Sequence, residues 1–292
     1  FLYYIMRLLF FCLACIVLFS CEKNDKSQVF SDNKAKWIQI EKDLPEKDSL
    51  FYQDDPSPLF RKKLFVDKKI KEAKLYVTSA GYNAVFINDK RVGKNILDPA
   101  WTDYSKRIYY TEYDVIDLLT QEQNVVNVML GNGFYNPLPL KMWGWLNLRN
   151  ETSVGKPKFI LKLIISYVDG DKEEIVSDSS WKYSFGPIVR NSVYLGSHYD
   201  ARNEIKGWQS PNFDDSSWKN AQISQSPGGV IEKAFFPGVE IIREIEPVNI
   251  YEIDKNKWIV DMGENFTGTY KIKLSGKSGD KVSFRLGERV YD

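Results

Sequence analysis

From Trp37 onward, short apolar runs alternate with clusters of turn residues. Trp37-Ile38-Gln39-Ile40 is the first run that reads as a strand. Asp54-Asp55-Pro56-Ser57-Pro58 reads as a loop. Leu75-Tyr76-Val77-Thr78 and Ala84-Val85-Phe86-Ile87 are β-formers bounded by turn residues, and residues 125–130 and 158–168 follow the same pattern. Asp169-Gly170 predicts a two-residue hairpin turn ahead of a strand over 173–176. One short helix is expected, from about 114 to 120. Beyond Glu240 the alternation is stricter. Tyr270, Ile272 and Leu274 face one way while Lys271 and Lys273 face the other, and Val282, Phe284 and Leu286 repeat the pattern. Residues 275–280 then read as the loop of a hairpin. A one-residue slip would carry its charged side into the core, so that pairing should be well specified.

These elements predict an all-β chain of two antiparallel sandwiches, one over residues 37–228 and a second over 229–292. The Ser226-Pro227-Gly228-Gly229 stretch marks the boundary. The second region is short against the roughly 100 residues of a self-sufficient sandwich. It is therefore expected to be incomplete, with an open sheet edge.

The first 21 residues belong to neither sandwich. Arg7 precedes an uninterrupted apolar run over 8–19, too short for the roughly 20 residues of a spanning helix. A charge, a short apolar stretch and then small residues read as an export signal. Leu18-Phe19-Ser20-Cys21 resembles a bacterial lipoprotein signal, in which Cys21 becomes the lipid attachment site. Residues 22–36 are mostly polar and read as a tether, with Val29 and Phe30 as exceptions. The expectation is export and anchorage to a bacterial membrane, periplasmic or at the cell surface.

Composition narrows the chemistry. Lys and Arg number 40 against 39 Asp and Glu, so no basic excess points to a nucleic-acid partner. Cys12, Cys15 and Cys21 all lie in the export segment, which leaves the body with no further thiol. With His198 as the only histidine, a Cys/His metal site is excluded by count. The adjacent acidic pairs at 54–55, 173–174 and 214–215 do not aim at one bond, because strand neighbours point to opposite faces. No P-loop, GxSxG or GxGxxG motif is present.

Two loops carry more character. Residues 97–104 mix Asp98 and Asp103 with Trp101 and Tyr104, and residues 131–136 place Asn132 and Phe134 ahead of Trp143 and Trp145. Aromatic faces beside Asp and Asn acceptors suit sugars, whose CH groups stack on rings and whose hydroxyls donate to oxygens. Trp101 is nonetheless expected in the core. Asp98, Asp103, Asn132 and Trp143 are the candidate carbohydrate-binding residues. In the segment 199–218, Asp200 and Arg202 can pair, while Trp208, Phe213 and Trp218 should close an apolar cluster around an Asp214-Asp215-Ser216 turn. This reads as a structural clasp.

Taken in order, these segments resemble bacterial α-L-rhamnosidases of glycoside hydrolase family seventy-eight. The resemblance runs from about Leu59 onward. It rests on residues 73–82, on Ile87-Asn88-Asp89-Lys90-Arg91-Val92-Gly93, on the loops 97–104 and 131–135, on Tyr199-Asp200-Ala201-Arg202 and on residues 261–268. Phe134 stands where the family often has Trp, Ser197 where Glu is common, and Thr269 where an aromatic is frequent; these positions bear on fine specificity. The resemblance implies a jelly-roll (galactose-binding-like) sandwich, a second β-sandwich, an (α/α)₆ barrel and a C-terminal β-domain. It also implies an inverting hydrolysis in which the two carboxylates sit in the barrel, so no residue of this chain is assigned as catalytic. Some relatives bind rhamnose in the jelly roll with a calcium ion; no cofactor is required for hydrolysis itself. The implied partners are a rhamnose-containing oligo- or polysaccharide and, through the anchor, the lipid bilayer. A non-catalytic carbohydrate-binding surface lipoprotein is the alternative, and a purely structural jelly-roll pair in another glycosidase is a third.

The anchor expectation is directly testable. Cys21→Ala should move the chain from the membrane fraction to the soluble fraction of the expressing cell; retention of the variant in membranes would contradict lipid attachment at Cys21.

Overall fold

The computed structural model describes residues 28–289, so Cys21 and the export segment lie outside the described residues. The chain divides into two compact units, the first reaching Val239 and the second beginning at Glu240. The first unit is a sandwich of two sheets. One sheet runs in the order Gln222–Ser224, Trp37–Gln39, Lys158–Tyr167, Ile70–Ala80, Arg107–Asp114, Val230–Lys233, with Lys172–Val176 also paired to Lys158–Tyr167. The other runs Lys219–Asn220, Lys182–Phe185, Pro58–Val66, Glu122–Gly131, Tyr82–Ile87, Lys90–Arg91. Pairing is antiparallel except for Val230–Lys233, which lies parallel to Arg107–Asp114 in register Val230 to Arg107. That strand places residues 230–233 in the first sheet, beyond the boundary expected at 228 from the Pro-Gly-Gly signal.

The period-2 pattern explains the core. Ala73, Leu75 and Val77 from one strand meet Phe159, Leu161, Leu163 and Ile165 from its neighbour, all fully buried. Phe60, Val126, Val128 and Leu130 close the layer from the opposite sheet. Trp181 is also fully buried, and its indole N–H donates to the Val176 carbonyl at 2.8 Å. The expected hairpin forms in register Ser166 to Lys172, but its loop is three residues, Val168-Asp169-Gly170, rather than two: the Gly170 N–H bonds to the Tyr167 carbonyl at 3.1 Å, so Val168 and Asp169 are the central turn residues and Gly170 follows at φ 97°. The expected helix over 114–120 is a single 3₁₀ turn, Ile116–Leu118, entered by an Ile116 N–H bond to the Asp114 carboxylate.

Both outer faces of the sandwich are covered by chain. On the first sheet the segment 28–36, expected as tether, is docked from residue 30 onward: Phe30 is buried edge-on against Tyr110, with ring centroids 5.8 Å apart. Ala35 and Trp37 are buried beside it, and Asp32 reaches the buried Lys162 at 2.6 Å. Lys162 lies between apolar residues of its strand, and its buried charge is tolerable because Asp32 meets it. On the second sheet Arg61 points outward yet is fully buried, because the clasp lies over it. Its guanidinium meets the Asp215 carboxylate at 2.5 Å and donates to the carbonyls of Phe213 (3.1 Å) and Ser210 (2.9 Å). The rings of Phe213 and Trp218 pack on it, 5.1 and 5.9 Å from centroid to guanidinium carbon. Burial lowers the Arg61 pKa, and Asp215 opposes that shift.

In the second unit, Asn249–Asp254 and Lys257–Asp261 form a hairpin in register Ile250 to Val260. Asn256 supplies the positive φ of its turn, at 61°. The ladder expected between 269–274 and 281–286 does not form among the described residues, although the Tyr270 and Phe284 rings meet at 5.7 Å. Tyr270, Ile272, Leu274, Val282, Phe284 and Leu286 are all exposed, so no buried face fixes their pairing.

Candidate functional site

Three loops of the first unit converge at one end of the sandwich: 97–104, 131–140 and the hairpin formed by Ile188–Ser192 and Gly196–Tyr199. Two glycines let the backbones meet. Gly81 has φ +98°, and a Cβ there would lie 2.4 Å from the Gly131 carbonyl oxygen. Gly133 has φ +50°, and its Cβ would lie 3.1 Å from the Gly81 Cα. The buried Tyr104 hydroxyl accepts from the Gly81 N–H at 3.4 Å, and its ring stands edge-on to Tyr135 at 5.0 Å. Burial raises the Tyr104 pKa, so this hydroxyl stays protonated at any ordinary pH.

The four candidate residues serve this framework in different ways. Asp98 is buried behind a cis Asp98-Pro99 bond. Its carboxylate accepts from Thr111 (3.1 Å), Tyr113 (3.4 Å) and Asn95 (3.3 Å), and its carbonyl accepts from the Asn83 N–H at 2.7 Å. Burial raises its pKa against the pull of those hydrogen bonds. Asp103 is exposed and holds a turn, accepting from the Ser105 hydroxyl (2.6 Å) and pairing with Lys106 (3.1 Å), which lowers its pKa. Asn132 is buried: its N–H and side-chain amide donate to Asn191, at 2.7 and 3.0 Å, and its side-chain oxygen accepts from Asn136 at 2.9 Å. Trp143 is exposed at the tip of a small hairpin, where Trp143 and Gly144 have φ of 51° and 83°, the signs of a type I′ turn. The four are not brought together into one contact set. Asp98 and Asp103 are already committed to protein donors, so they do not open the shell of six to eight oxygens that calcium takes.

What the loops do present is an aromatic surface. Trp101 is half exposed, not in the core, because it sits past Pro99 in a loop rather than on a strand. Its ring stacks on Phe134 at 4.4 Å and 22°, and Tyr194 stands edge-on to Phe134 at 6.2 Å. Tyr194 and Asn191 were not candidates; their hairpin is neither strongly apolar nor rich in turn residues, and the one signal was the Gly196 that closes it. Asn132, Asn136 and Asn191 also line a shallow cleft with Lys42, Asp55 and Lys156. Their amides are spent on one another, on Ser57 and on Arg149, which makes that cleft a rigid wall.

The remaining motifs resolve as structure. Asp200 accepts from both the backbone and the guanidinium of Arg202, which holds its pKa at about 2; a 3₁₀ turn, not an extended strand, brings the pair together. Trp218 lies between Trp208 (6.4 Å) and Phe213 (5.7 Å) as a clasp requires. The Arg190 guanidinium lies 2.9 Å from the ring of His198, on an exposed hairpin. The acidic neighbours diverge: Glu173 meets the Tyr167 hydroxyl and Glu174 meets Lys34, while Asp214 caps Ser216 and Asp215 meets Arg61.

A two-sheet, all-β sandwich with loops gathered at one end is the class this geometry defines. Residues 68–243 match the α-L-rhamnosidase N-terminal domain, and residues 251–292 match the bacterial α-L-rhamnosidase concanavalin-like domain. An α-L-rhamnosidase of Formosa agariphila is 33% identical over 265 residues, covering 85% of this chain and 27% of its own length. The solved α-L-rhamnosidase of Dictyoglumus thermophilum superposes with a TM-score of 0.68 at 37% identity, covering 80% of this chain and 26% of that one. The Streptomyces avermitilis α-L-rhamnosidase, solved in complex with L-rhamnose, gives 0.66 at 30% identity, covering 73% and 20%. The chain belongs to the bacterial α-L-rhamnosidase family, and it spans about a quarter of the length of these relatives.

The close approach of the loops leads to a paired prediction. Gly81→Ala should cost roughly 2–4 kcal/mol, since left-handed strain adds to the clash with Gly131. Gly144→Ala, with nothing within 4 Å, should cost only about 1 kcal/mol. Urea unfolding of both variants checks this; equal losses would contradict the close approach of the two loops.

Proposed function

We propose that the chain is the amino-terminal, non-catalytic region of an exported, lipid-anchored, inverting α-L-rhamnosidase that removes terminal α-L-rhamnosyl residues from glycans. The observation that carries this reading is the succession of two rhamnosidase domain matches along the chain. An inverting glycosidase needs an acid and a base about 6.5–9.5 Å apart, with room for a water between them. In this chain Glu173 and Glu174 are engaged by separate partners, as are Asp214 and Asp215. The hydrolytic carboxylates then belong to another part of the enzyme, and this region's task is to hold and present.

The stacked Trp101–Phe134 pair supports a glycan contact at the loop end. The half-exposed Trp101 ring, fixed by stacking on the partly buried Phe134, offers a sugar an apolar face at little cost in ordering. The non-catalytic carbohydrate-binding lipoprotein reading would use the same surface.

Two measurements follow. The 292-residue chain, incubated with an aryl α-L-rhamnoside, should show no turnover above a heat-killed control; turnover would overturn the assignment of catalysis elsewhere. Titration with L-rhamnose, with and without calcium, should perturb tryptophan fluorescence, and Trp101→Ala should weaken binding up to about tenfold, the range of one aromatic contact. Unchanged affinity in Trp101→Ala would remove the platform from the binding role.

A further inference from the structure

We infer that the anchor holds this sandwich on a leash too short to let it turn over, so that the face carrying Phe30 stays toward the bilayer and the Arg61 clasp faces away. This rests on lipid attachment at Cys21. The observation behind it is that about half of the expected tether is used up in docking. Phe30 is buried against Tyr110, Asp32 is paired with the buried Lys162, and Lys36 donates its N–H to the Ser177 carbonyl at 2.7 Å. The Ser177 hydroxyl returns the bond to the Lys36 carbonyl at 2.6 Å. Trp37–Gln39 then enters the sheet between two neighbours. From Phe30 onward the chain is therefore part of the folded body.

Only residues 22–29 separate Cys21 from Phe30, and fully extended they reach about 30 Å. A compact body of about 200 residues has a diameter of roughly 40 Å, so half its circumference is roughly 65 Å. The leash reaches less than half of the way round. Phe30 docks on the outer face of the first sheet, whereas Arg61 and its clasp cover the outer face of the second. Bringing the clasp face against the headgroups would need about twice the available chain. The partner of the Phe30 face is thus the lipid surface itself, and the orientation is set by contour length, without any lipid-specific contact.

Residues 22–292 contain no cysteine, so in the lipidated form of the 292-residue chain a single introduced cysteine is the one free label site. Lys34→Cys reports on the Phe30 face and Ser217→Cys on the clasp; both side chains are exposed. With a donor dye at either position and an acceptor on lipid headgroups of reconstituted vesicles, energy transfer should be several-fold stronger from position 34. Inserting twenty Gly/Ser residues after Ser27 should erase the difference. Equal transfer from both positions in the unextended chain, while Cys21→Ala still releases the protein, would overturn the short leash. Retention of Cys21→Ala on the membrane would instead overturn the anchor on which it rests.

Discussion

The buried guanidinium of Arg61 is the constraint around which the first unit is arranged. An arginine in the middle of a central strand, stripped of water, must find its charge partner and its hydrogen-bond acceptors within the protein. Its two terminal nitrogens find them in a segment some 150 residues away, at Asp215 and the carbonyls of Ser210 and Phe213, with the faces of Phe213 and Trp218 packed on the group, while its Nε is buried without a partner. Asp215 also takes Lys182 at 3.2 Å, so one carboxylate ties the clasp to two strands of the sheet. Removing one partner of such a buried pair costs about 3–5 kcal/mol, far more than an exposed ion pair contributes. The clasp is thus compelled to lie where it does. Trp218 leads into Lys219–Asn220 and Gln222–Ser224, strands that belong to different sheets, so the clasp carries the chain from one sheet to the other.

The opposite face repeats the device with a lysine. Lys162 sits on the outer side of Lys158–Tyr167 and is covered by Asp32 and by the chain that Phe30 pins down. Two charges thus specify which segments cover the two outer faces, while the apolar layer between the sheets supplies most of the stabilisation. The loops at one end of the sandwich are the candidate place for side chains to meet a ligand. That is where the Trp101–Phe134 stack lies, on loops whose backbones are locked by Gly81, Gly133 and the Asn132–Asn191 bonds.

The interior strands were legible from alternation alone, because Leu75, Val77, Leu161 and Leu163 can be satisfied only by facing inward. The hairpin around Asp169-Gly170 was legible because few residues other than glycine accept its positive φ, but its loop is one residue longer than the dipeptide suggested. The coverings were not. Arg61, flanked by Lys62 and Lys63, reads as part of a solvated face, and nothing local announces that Asp215 will reach it. Phe30 and Val29 were visible as apolar interruptions of a polar stretch, but their docking depends on Tyr110, a long way along the chain. Trp101 was misplaced because its ring reads as core while its position, between Pro99 and Asp103, reads as loop; position decided. Of the candidate residues, Asp98 and Asn132 spend their polar groups on the framework and Trp143 is exposed at a hairpin tip, whereas the exposed rings beside Phe134 are those of Trp101 and Tyr194.

Native-state hydrogen exchange on the 292-residue chain tests the Arg61 constraint most directly. In Arg61→Leu, amides across 208–224 should exchange about a hundredfold faster than in the parent, as expected for a local opening made easier by about 3 kcal/mol. Amides of Ile70–Ala80 and Glu122–Gly131 should keep most of their protection. Unchanged exchange across 208–224 would show that the clasp is held by its tryptophans alone, and would contradict its dependence on the buried guanidinium.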